Sequence, residues 1–540
     1  MKTVNIATAV DEMSQSRPDE IAIFEPTGNN VEKQESYRRW TYRELEDASN
    51  EIAAGLLELG FKKGDRTALM VTPSLELFGL TFGLFKAGVV PVMVDPGIGI
   101  KKMGACLESA APQGFIGVGK AHIARLLFGW ERGRLKHVIT AGSRLFWGGS
   151  ILEQLRALGR KSEHLGKLAA TEGDDIAAIL FTSGSTGVPK AVMHAPEALN
   201  YATRACAAIA GLQPDDAILG IVPLDSAPGF TFTAHFALSL GHPLVLVDPW
   251  VPVEALRRAE RYGCGWAIAV PTHLFTMVEA ARLGEWTGRL PLRAMAVGGS
   301  AMTPELIEDA DRLLGLRALR MFGMSECMGH ASTSPVHPLE RRQIFDGIPF
   351  PGTQEEAFDA ELRPLPRGSR GQAGVRGPSL FLGYAQGMGA GQERMTPDGF
   401  YLTGDEIVRD EEGFVRVVGR IKDQIIRGGF NIDPAEVEAA LLRHPAVAEV
   451  AVVAVPERKL GEQACAVCRL RTDDGSIDLS ALLHHLSQQG LSRKKWPEHL
   501  VLVEAMAVTA TGKLDKKAMA AIAVEEVARR RAASAARQDA

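Results

Sequence analysis

The sequence predicts an α/β fold, with a large N-terminal domain of mainly parallel sheets and helices and a small α+β C-terminal domain. Its 540 residues exceed the usual size of one domain. Apolar runs at 67–71 and from residue 89 flank a helical pattern at 75–86, and a strand, a helix and a strand at this spacing are typical of a parallel sheet. Beyond residue 434, short helical and strand patterns alternate, which predicts a second, smaller domain.

Charge and hydropathy argue against several classes of protein. The formal net charge of −5 and the pI near 6.3 disfavour nucleic-acid binding, which usually needs a clustered basic surface. The first residues lack the pattern of a signal peptide, so we expect a cytoplasmic protein. The longest apolar stretch, 77–94, is interrupted by Lys86, Gly88 and Pro91. That favours a helix followed by a strand over an integral membrane segment.

The six cysteines are few for this length, as is typical of a reducing compartment. Cys465 and Cys468 have the CxxC spacing of a metal or redox pair. However, the residues around them indicate a strand, in which side chains at this spacing point to opposite faces. We therefore favour a structural role for both.

An amphipathic helix is predicted to run from residue 42 to Leu57. Thr41 has the position of an N-cap, and Glu44, three residues later, completes a capping box. In the small domain we expect helices from 434 to 442 and from 479 to 489, and strands at 447–455, 465–470 and 500–503.

A loop rich in small and hydroxyl residues follows a predicted buried strand at 176–180. Gly184 and Gly187 allow close backbone approach, and Lys190 offers a cation to an anionic oxygen. Hydroxyl groups come from Thr182, Ser183, Ser185 and Thr186. In a Walker A loop, Ser or Thr follows the lysine and a helix begins, whereas here a second strand is predicted at 191–193. A flexible surface turn is the alternative on composition alone.

The run from Thr182 to Lys190, Thr-Ser-Gly-Ser-Thr-Gly-Val-Pro-Lys, resembles the signature loop of the AMP-forming adenylating superfamily. That superfamily includes acyl-CoA synthetases, luciferases and peptide-synthetase adenylation domains. The segments 95–99, 115–118 and 146–149 are similar to bacterial β-lactone synthetases of the olefin pathway, a branch of the same superfamily. Over about residues 41–517, five blocks follow the family's order. The resemblance implies that the loop binds the phosphates of ATP.

Two further blocks are implied to complete the nucleotide pocket. One is Gly299-Ser300-Ala301, after a predicted strand at 294–297, and the other runs Phe322-Gly323-Met324-Ser325-Glu326. The second resembles the family's Tyr-Gly-x-Thr-Glu motif. By that resemblance Phe322 stacks on adenine, Ser325 contacts the α-phosphate, and Glu326 with Thr186 binds Mg²⁺, a hard cation that prefers oxygen ligands.

The resemblance also assigns residues near the C-terminus. Asp405 is implied to accept hydrogen bonds from the ribose hydroxyls, and Arg420 to contact the ribose and phosphate. Lys422 is implied to be the hinge between domains 1–421 and 422–540. Gly428 and Gly429 are implied to lie along the pantetheine of CoA, and Lys513 to be the catalytic lysine of adenylation.

The acyl pocket is implied to include Asp225, Ser226, Gly298, Met328, Gly329 and His330. Asp225 and Ser226 stand where many relatives have an aromatic residue and a histidine that gate the acyl tunnel. Small residues at such positions leave room for a bulky or branched acid. We interpret His194, after the phosphate loop, as a structural histidine.

Together these blocks imply an AMP-forming acyl-CoA synthetase that uses ATP, Mg²⁺ and coenzyme A to activate a hydrophobic carboxylic acid. The alternative is an adenylating enzyme that passes the acyl group to a carrier protein or closes a β-lactone. A non-catalytic binding module is a third hypothesis, which the presence of Glu326, Asp405 and Lys513 disfavours. We expect a monomer or homodimer.

Overall fold

The computed structural model describes residues 5–26, 37–94, 100–130, 133–181, 189–300, 302–385, 391–427, 430–457, 460–471, 477–509 and 513–538. Contacts between residues divide the chain into two compact units. Unit 1 comprises residues 1–354 and 376–395, and unit 2 comprises residues 355–375 and 396–540. The predicted domain boundary at residue 422 falls inside unit 2 and stays a prediction.

Helices and strands alternate through unit 1. Its elements up to residue 349 are α1 (Thr8–Ser16), β1 (Ile21–Pro26), β2 (Tyr37–Thr41), α2 (Tyr42–Glu58), β3 (Arg66–Met70), α3 (Leu75–Lys86), β4 (Val90–Met93), α4 (Ile100–Ala110), β5 (Gly114–Gly117), α5 (Gly119–Leu127), β6 (His137–Thr140), β7 (Ser150–Ile151), α6 (Leu152–Gly159), β8 (Ala178–Phe181), β9 (Ala191–His194), α7 (Pro196–Ala210), β10 (Ala217–Gly220), α8 (Ala227–Gly229), α9 (Phe236–Leu240), β11 (Leu244–Leu246), α10 (Pro252–Tyr262), β12 (Cys264–Ala269), α11 (Pro271–Arg282), β13 (Ala294–Gly298), α12 (Pro304–Asp309), β14 (Arg317–Met324), β15 (Cys327–Ser332), α13 (Leu339–Ile344) and β16 (Ile348–Pro349). A π-helical segment, Phe230–His235, joins α8 to α9, and another, Ala310–Leu314, follows α12.

The remaining elements belong to unit 2, apart from β19, which is part of unit 1. They are β17 (Gln354–Phe358), β18 (Arg370–Arg376), β19 (Gly383–Tyr384), β20 (Tyr401–Arg409), β21 (Val415–Arg420), β22 (Ile425–Arg427), β23 (Phe430–Ile432), α14 (Pro434–Leu441), β24 (Val447–Glu457), β25 (Gly461–Leu470), α15 (Leu479–Gln488), β26 (His499–Leu502) and α16 (Lys516–Gln538). Short 3-10 turns lie at Gln392–Arg394, Ile421–Asp423 and Arg493–Lys495.

Two mixed sheets form unit 1. The order of the first is β16-β15-β14-β13-β12-β10-β11-β1-β2, and the order of the second is β19-β9-β8-β4-β3-β5-β6-β7. Strands β10 to β14 pair in parallel with one another, as do β3, β4 and β5. In the second sheet α3 connects β3 to β4, so the predicted strand, helix and strand, and the parallel sheet, are confirmed.

Helix α2 begins where the capping box predicts. The Glu44 amide donates to Thr41 Oγ1 over 3.2 Å, and the Thr41 amide donates to Glu44 Oε2 over 2.8 Å. These bonds satisfy two backbone donors that have no partner within the helix. Leu45, Ile52 and Leu56, spaced along one face, are then buried in the main core.

Two sheets form unit 2. One is antiparallel in the order β17-β18-β20-β21, and the other has the order β23-β22-β25-β24, with β26 paired to β25. Cys465 packs in the core cluster that includes Val453 and Met519, while Cys468 packs in the cluster that includes Val450 and Leu482. The two thiols therefore lie on opposite faces of β25, as the alternation of a strand predicts. Burial raises the pKa of each thiol to about 12.

The described helices do not include one that is both long and apolar enough to cross a bilayer. The apolar stretch 77–94 lies in α3 and β4, as the sequence predicts. Helix α3 is buried on several sides, with Leu80, Phe82 and Leu84 nearly inaccessible to water.

Candidate functional site

A cation, a phenol and a carboxylate lie together beside the predicted phosphate loop. Strands β8 and β9 form an antiparallel hairpin in which Phe181 pairs with Ala191, as predicted, and Lys190 directly precedes β9. The ammonium of Lys190 lies 4.5 Å from the centre of the Tyr384 ring. The hydroxyl of Tyr384 donates to Glu326 Oε1 over 2.5 Å. Unit 1 thus brings the predicted phosphate and metal residues to one tyrosine.

Tyr384 is placed by a very short strand. Residues Gly383 and Tyr384 form β19, which pairs with β9 so that Tyr384 lies opposite Val192. Its side chain is nearly inaccessible to water. Tyr384 is not among the residues that the sequence predicts for the site. In the sequence it is a lone tyrosine at the end of Phe-Leu-Gly-Tyr, and this run is too short to indicate a strand by its periodicity.

Glu326 lies in the tight turn between β14 and β15, with Ser325 before it. The residue is 6 % exposed, and its backbone carbonyl accepts a hydrogen bond from the Phe381 amide over 2.9 Å. A carboxylate this buried needs partners, and Tyr384 supplies one. Strand β14 extends to Met324, so Ser325 and Glu326 lie in a turn between two strands and do not cap a helix.

The strand before this turn is pressed against the strand after it. The ring of Phe322 meets that of His330 edge-on, with centres 4.2 Å apart. A Cβ on Gly323 would lie 2.8 Å from the backbone nitrogen of Gly329. Position 323 therefore has no room for a side chain, which explains a glycine within the strand.

The end of strand β13 has accessible backbone and no bulky side chains. Gly298 ends β13, and a Cβ there would lie 2.9 Å from the carbonyl oxygen of Met321. Gly299 has φ of +93°, a conformation that glycine adopts without strain, and Gly299 and Ser300 are exposed. Such an edge suits the close approach of a flat ring.

Three of the residues predicted to line the acyl pocket lie in an apolar part of unit 1. Met328, Gly329 and His330 lie buried on β15. Gly329 has φ of +58°, and a Cβ there would lie 2.8 Å from Cζ of Phe232. Thr231 Oγ1 contacts the sulfur of Met328 at 2.8 Å. The π-helical segment Phe230–His235 thus packs its side chains directly against the strand.

Of the two residues that stand where relatives have the acyl-tunnel gate, Ser226 has a structural role. Ser226 caps α8, since its Oγ accepts from the Gly229 amide over 3.1 Å and donates to the Pro223 carbonyl over 2.6 Å. Ser226 is buried and Asp225 is half-buried. His194 is buried in β9, where burial lowers its pKa to about 3 and keeps the ring neutral.

Unit 2 contains a second group of predicted site residues. Asp405 on β20 pairs in register with Arg420 on β21, and Arg420 Nε donates to Asp405 Oδ1 over 2.8 Å. The carboxylate of Asp405 is 6 % exposed. Lys513 is electrostatically coupled to both residues: burial, and then the charge of Arg420, lower its pKa to about 8, against an opposing effect of Asp405.

The backbone around Lys513 is folded back on itself. The Thr509 amide donates to the Lys513 carbonyl over 2.6 Å, and the Lys513 amide donates to Thr509 Oγ1 over 3.2 Å. An isolated bridge joins Val508 and Leu514. These bonds hold the described residues on both sides of the loop that carries the lysine.

Several predicted site residues fall outside the described residues or are described only in part. The phosphate-loop residues Thr182, Ser183, Gly184, Ser185, Thr186 and Gly187 lie outside them, as do Ala301, Gly428 and Gly429. For Lys422 the structure describes only the backbone, which lies in a 3-10 turn at Ile421–Asp423.

The side chains that are described suit the binding of a metal nucleotide. In unit 1 the Glu326 carboxylate is a hard oxygen ligand held in place by Tyr384, and Lys190 supplies a cation that would attract phosphate. The glycines at 298, 299 and 323 leave backbone accessible at close range. The described residues do not contain a cluster of three or more potential metal ligands, so in this part of the chain Glu326 is the candidate protein ligand.

Comparisons with known proteins identify the family of the chain. Residues 10–385 match the family model of AMP-binding enzymes, and residues 436–513 match that of the AMP-binding enzyme C-terminal domain. The chain is 27 % identical over 525 residues to the medium-chain fatty-acid–CoA ligase of Escherichia coli K12, spanning 95 % of this chain and 89 % of that protein.

Two other similarities are informative. The olefin beta-lactone synthetase of Stenotrophomonas maltophilia K279a is 36 % identical over 355 residues, spanning 63 % of this chain and 60 % of that protein. The ATP-bound structure of MatB from Rhodopseudomonas palustris superposes with a TM-score of 0.85 at 24 % identity and covers 97 % of this chain and 99 % of that one. At this identity the likeness concerns the fold, and it confirms the predicted α/β class. Because the first family model alone spans more than half of the sequence, this chain belongs to the AMP-binding enzymes, the adenylate-forming ligases that activate a carboxylic acid.

Proposed function

We propose that the protein is an AMP-forming acyl-CoA synthetase for a hydrophobic acid, either medium- or long-chain or bulky and cyclic. The observation that carries this proposal is the apolar packing of the predicted acyl-pocket residues Met328 and Gly329, which lie buried on β15 next to Phe232. A pocket opening among such side chains would favour a hydrocarbon group by removing it from water. The similarity to a medium-chain fatty-acid–CoA ligase along most of the chain supports the same conclusion.

In the first half-reaction an oxygen of the substrate carboxylate attacks the α-phosphorus of ATP. The bond from that phosphorus to the bridging oxygen breaks, and pyrophosphate leaves with the electron pair. We assign Lys190 and Lys513 to charge that develops on the phosphate oxygens. Asp405 accepts hydrogen bonds from the ribose hydroxyls, and Arg420 holds that carboxylate in place.

Glu326 would hold Mg²⁺, with Thr186 as the second ligand, and a bound Mg²⁺ would neutralise phosphate charge. Tyr384 orients the Glu326 carboxylate by donating to one of its oxygens. Phe322 offers its ring to the adenine, and the small residues at 298–300 let the base lie close to the backbone.

In the second half-reaction the thiol of CoA attacks the acyl carbonyl carbon. The bond to the phosphate oxygen breaks and AMP leaves. The C-terminal domain, residues 422–540, turns about Lys422 between the half-reactions, withdrawing Lys513 and presenting Gly428 and Gly429 to the pantetheine arm. A glycine pair there leaves room for a narrow channel.

A second candidate outcome has its own support. The chain shares 36 % identity over 355 residues with an olefin beta-lactone synthetase. An enzyme of that type would use the same adenylation step. It would then close the acyl group into a lactone ring, with AMP again leaving. Transfer to the phosphopantetheine of a carrier protein is the third form of the same second step.

The test is to incubate the purified protein with ATP, Mg²⁺ and a panel of short, long and cyclic acids, each with and without CoA. Mass spectrometry then resolves AMP, pyrophosphate and the acyl product. Formation of acyl-CoA only when CoA is present supports the proposal and identifies the acid class. Pyrophosphate release with an adenylate that accumulates or cyclises despite CoA contradicts it and favours the second candidate.

A further inference from the structure

One region of unit 1 exposes large apolar side chains where a solvated surface would carry polar ones. On α5, Ile123 is 39 % exposed and Leu127 76 %, and Phe128, directly after the helix, is 53 % exposed. In the loop after β6, Leu145 is 59 % exposed and Phe146 80 %. A single exposed apolar residue is common on protein surfaces, but a group of them usually marks a contact surface.

The helix and the loop are joined by stacked rings. His122, on the buried side of α5, stacks on Trp147 with ring centres 5.1 Å apart, and Trp147 in turn meets Phe146 at 5.5 Å. The Trp147 indole donates to Thr140 Oγ1 over 3.0 Å, which fixes the loop to the end of β6. Phe146 is therefore held beside α5 by its neighbour, although its own ring is exposed.

The exposed face of α5 is continuous along the helix. Residues 120, 123 and 127 have helical spacing that places them on one side, and Lys120, Ile123 and Leu127 are exposed while His122 is buried. Helix α5 thus buries one face against the core, as amphipathic helices do. Its outer face carries apolar residues as well. Burial within unit 1 does not account for that second apolar face.

The segment that carries these residues is rich in positive charge. Between residues 100 and 150 the sequence has eight Lys or Arg and only two Glu, in a chain whose net charge is −5. Lys120, Arg134, Lys136 and Arg144 are exposed there. Most of the chain must therefore be acidic overall, and this segment is a local exception.

We propose that this surface, here called the α5 face, docks on an anionic lipid bilayer. The α5 face comprises Ile123, Leu127, Phe128, Leu145 and Phe146 with the cations Lys120, Arg125, Arg134, Lys136 and Arg144. Aromatic and leucine side chains enter the boundary between headgroups and acyl chains, while Lys and Arg remain with the anionic headgroups. The excess of positive charge in this segment favours an anionic bilayer as the occupant.

The proposal goes beyond the adenylation chemistry and does not depend on which acid or acceptor the enzyme uses. A bilayer is where a hydrophobic acid partitions, so docking there would bring the enzyme to its substrate. None of the residues of the α5 face is assigned to the nucleotide or acyl sites above.

The experiment is flotation of the full-length protein with two kinds of vesicle, phosphatidylcholine alone and phosphatidylcholine with a minority of phosphatidylglycerol. We expect binding to the anionic vesicles that weakens at high salt. The double variant Leu127→Ser/Phe146→Ser should bind them about tenfold more weakly, because it removes two inserting side chains. The double variant Lys120→Glu/Arg144→Glu should bind them at least about 25-fold more weakly, because each of the two cations near an anionic surface contributes roughly fivefold.

The matched control is Leu283→Ser/Val336→Ser. These residues are 70 % and 86 % exposed in unit 1 but lie outside the segment 100–150, and this variant should bind vesicles like the wild type. Pyrophosphate release with a water-soluble acid should be equal in all four proteins, which excludes misfolding. Failure of the wild type to bind anionic vesicles, or equal binding by the α5-face variants, overturns the proposal. A change from dimer to monomer in the α5-face variants, without a change in vesicle binding, also overturns the proposal, because the surface would then join two copies of the chain.

Discussion

Tyr384 donates its phenolic hydrogen to Glu326 over 2.5 Å, and the same ring lies 4.5 Å from the ammonium of Lys190. Three segments far apart in sequence thereby meet at one side chain, which a two-residue strand carries. Glu326 is only 6 % exposed, so the orientation of its carboxylate depends on the protein and little on solvent. We infer that Tyr384 is a positioning residue for the metal ligand.

Replacing Tyr384 with Phe tests that role. The ring and its packing remain, but the buried carboxylate loses a donor, and a hydrogen bond to a charged group contributes about 1.5–3 kcal/mol. We expect kcat/KM for pyrophosphate release to fall about tenfold. The Mg²⁺ concentration for half-maximal rate should rise, because a carboxylate that rotates is a poorer ligand. A magnesium titration of the initial rate measures this.

The matched control is Tyr262→Phe. Tyr262 packs against Phe24 and Tyr37, near β1 and β2, so loss of its hydroxyl should leave the magnesium titration unchanged. An unchanged titration for Tyr384→Phe as well would remove Tyr384 from the metal site. Glu326→Ala provides the upper limit, since it removes the ligand itself.

The lowered pKa of Lys513 predicts a pH dependence. Burial and Arg420 lower this pKa to about 8 from its ordinary value of 10.5. The side chain is therefore charged below about pH 8 and neutral above it. Since the proposed role needs the charge, the rate of ATP–pyrophosphate exchange should fall as the pH rises through about 8.

Two variants identify the group that titrates. Lys513→Arg keeps the charge across this range, so the decline near pH 8 should disappear even if the maximal rate is lower. Arg420→Gln removes a positive neighbour, which should raise the pKa of Lys513 and move the decline to higher pH. A decline at the same pH in wild type and Lys513→Arg would show that another group titrates.

Separate half-reactions test whether Lys513 acts only in adenylation. Lys513→Ala should lose pyrophosphate release almost completely, because the charge on the transferring phosphoryl group is no longer stabilised. Reaction of a chemically prepared acyl-adenylate with CoA should continue near the wild-type rate. Single-turnover assays of the two steps measure this. An equal loss in both steps would contradict the assignment.

Local signals in the sequence predicted much of the fold. The capping box of Thr41 and Glu44 predicted the start of α2, and the opposite faces of Cys465 and Cys468 followed from strand alternation. These features depend on neighbours within a few residues, which is why a sequence reveals them. Strand β10 ends at Gly220, and a short helix capped by Ser226 follows soon after it.

Tyr384 illustrates what the sequence could not predict. Its importance arises from pairing with β9, which lies about two hundred residues earlier, and from the turn that carries Glu326. Long-range pairing of a two-residue strand leaves no periodic pattern. The π-helical segment Phe230–His235 is similar, since its contact with Gly329 joins two distant parts of the chain. Residue type and order predicted the members of the site, but tertiary contacts determined their partners.

Gly323→Ala tests how closely β14 and β15 must approach. The new Cβ would lie 2.8 Å from the nitrogen of Gly329, so one strand must shift, at a cost of about 1–3 kcal/mol. Phe322 and Glu326 flank this position, so ATP affinity should fall together with the midpoint of thermal unfolding. Gly173→Ala is the control, because its nearest neighbour is 3.5 Å away. Unchanged ATP affinity in Gly323→Ala would contradict the close packing.

Arg370→Gln tests the proposed turn about Lys422. Arg370 on β18 pairs with Glu406 over 2.6 Å and with Asp433 over 3.0 Å, and Asp433 follows residue 422 while the other two precede it. These pairs therefore favour the arrangement within unit 2 in which Lys513 is coupled to Asp405 and Arg420.

Because Arg370 is partly exposed, we expect its loss to slow adenylation by less than about fivefold and to leave reaction of a preformed acyl-adenylate with CoA unchanged or faster. Arg363→Gln, which removes an exposed pair with Asp359 on one side of residue 422, should change neither step. Equal slowing of both steps by Arg370→Gln would instead indicate general destabilisation, and the ratio of the two single-turnover rates distinguishes these results.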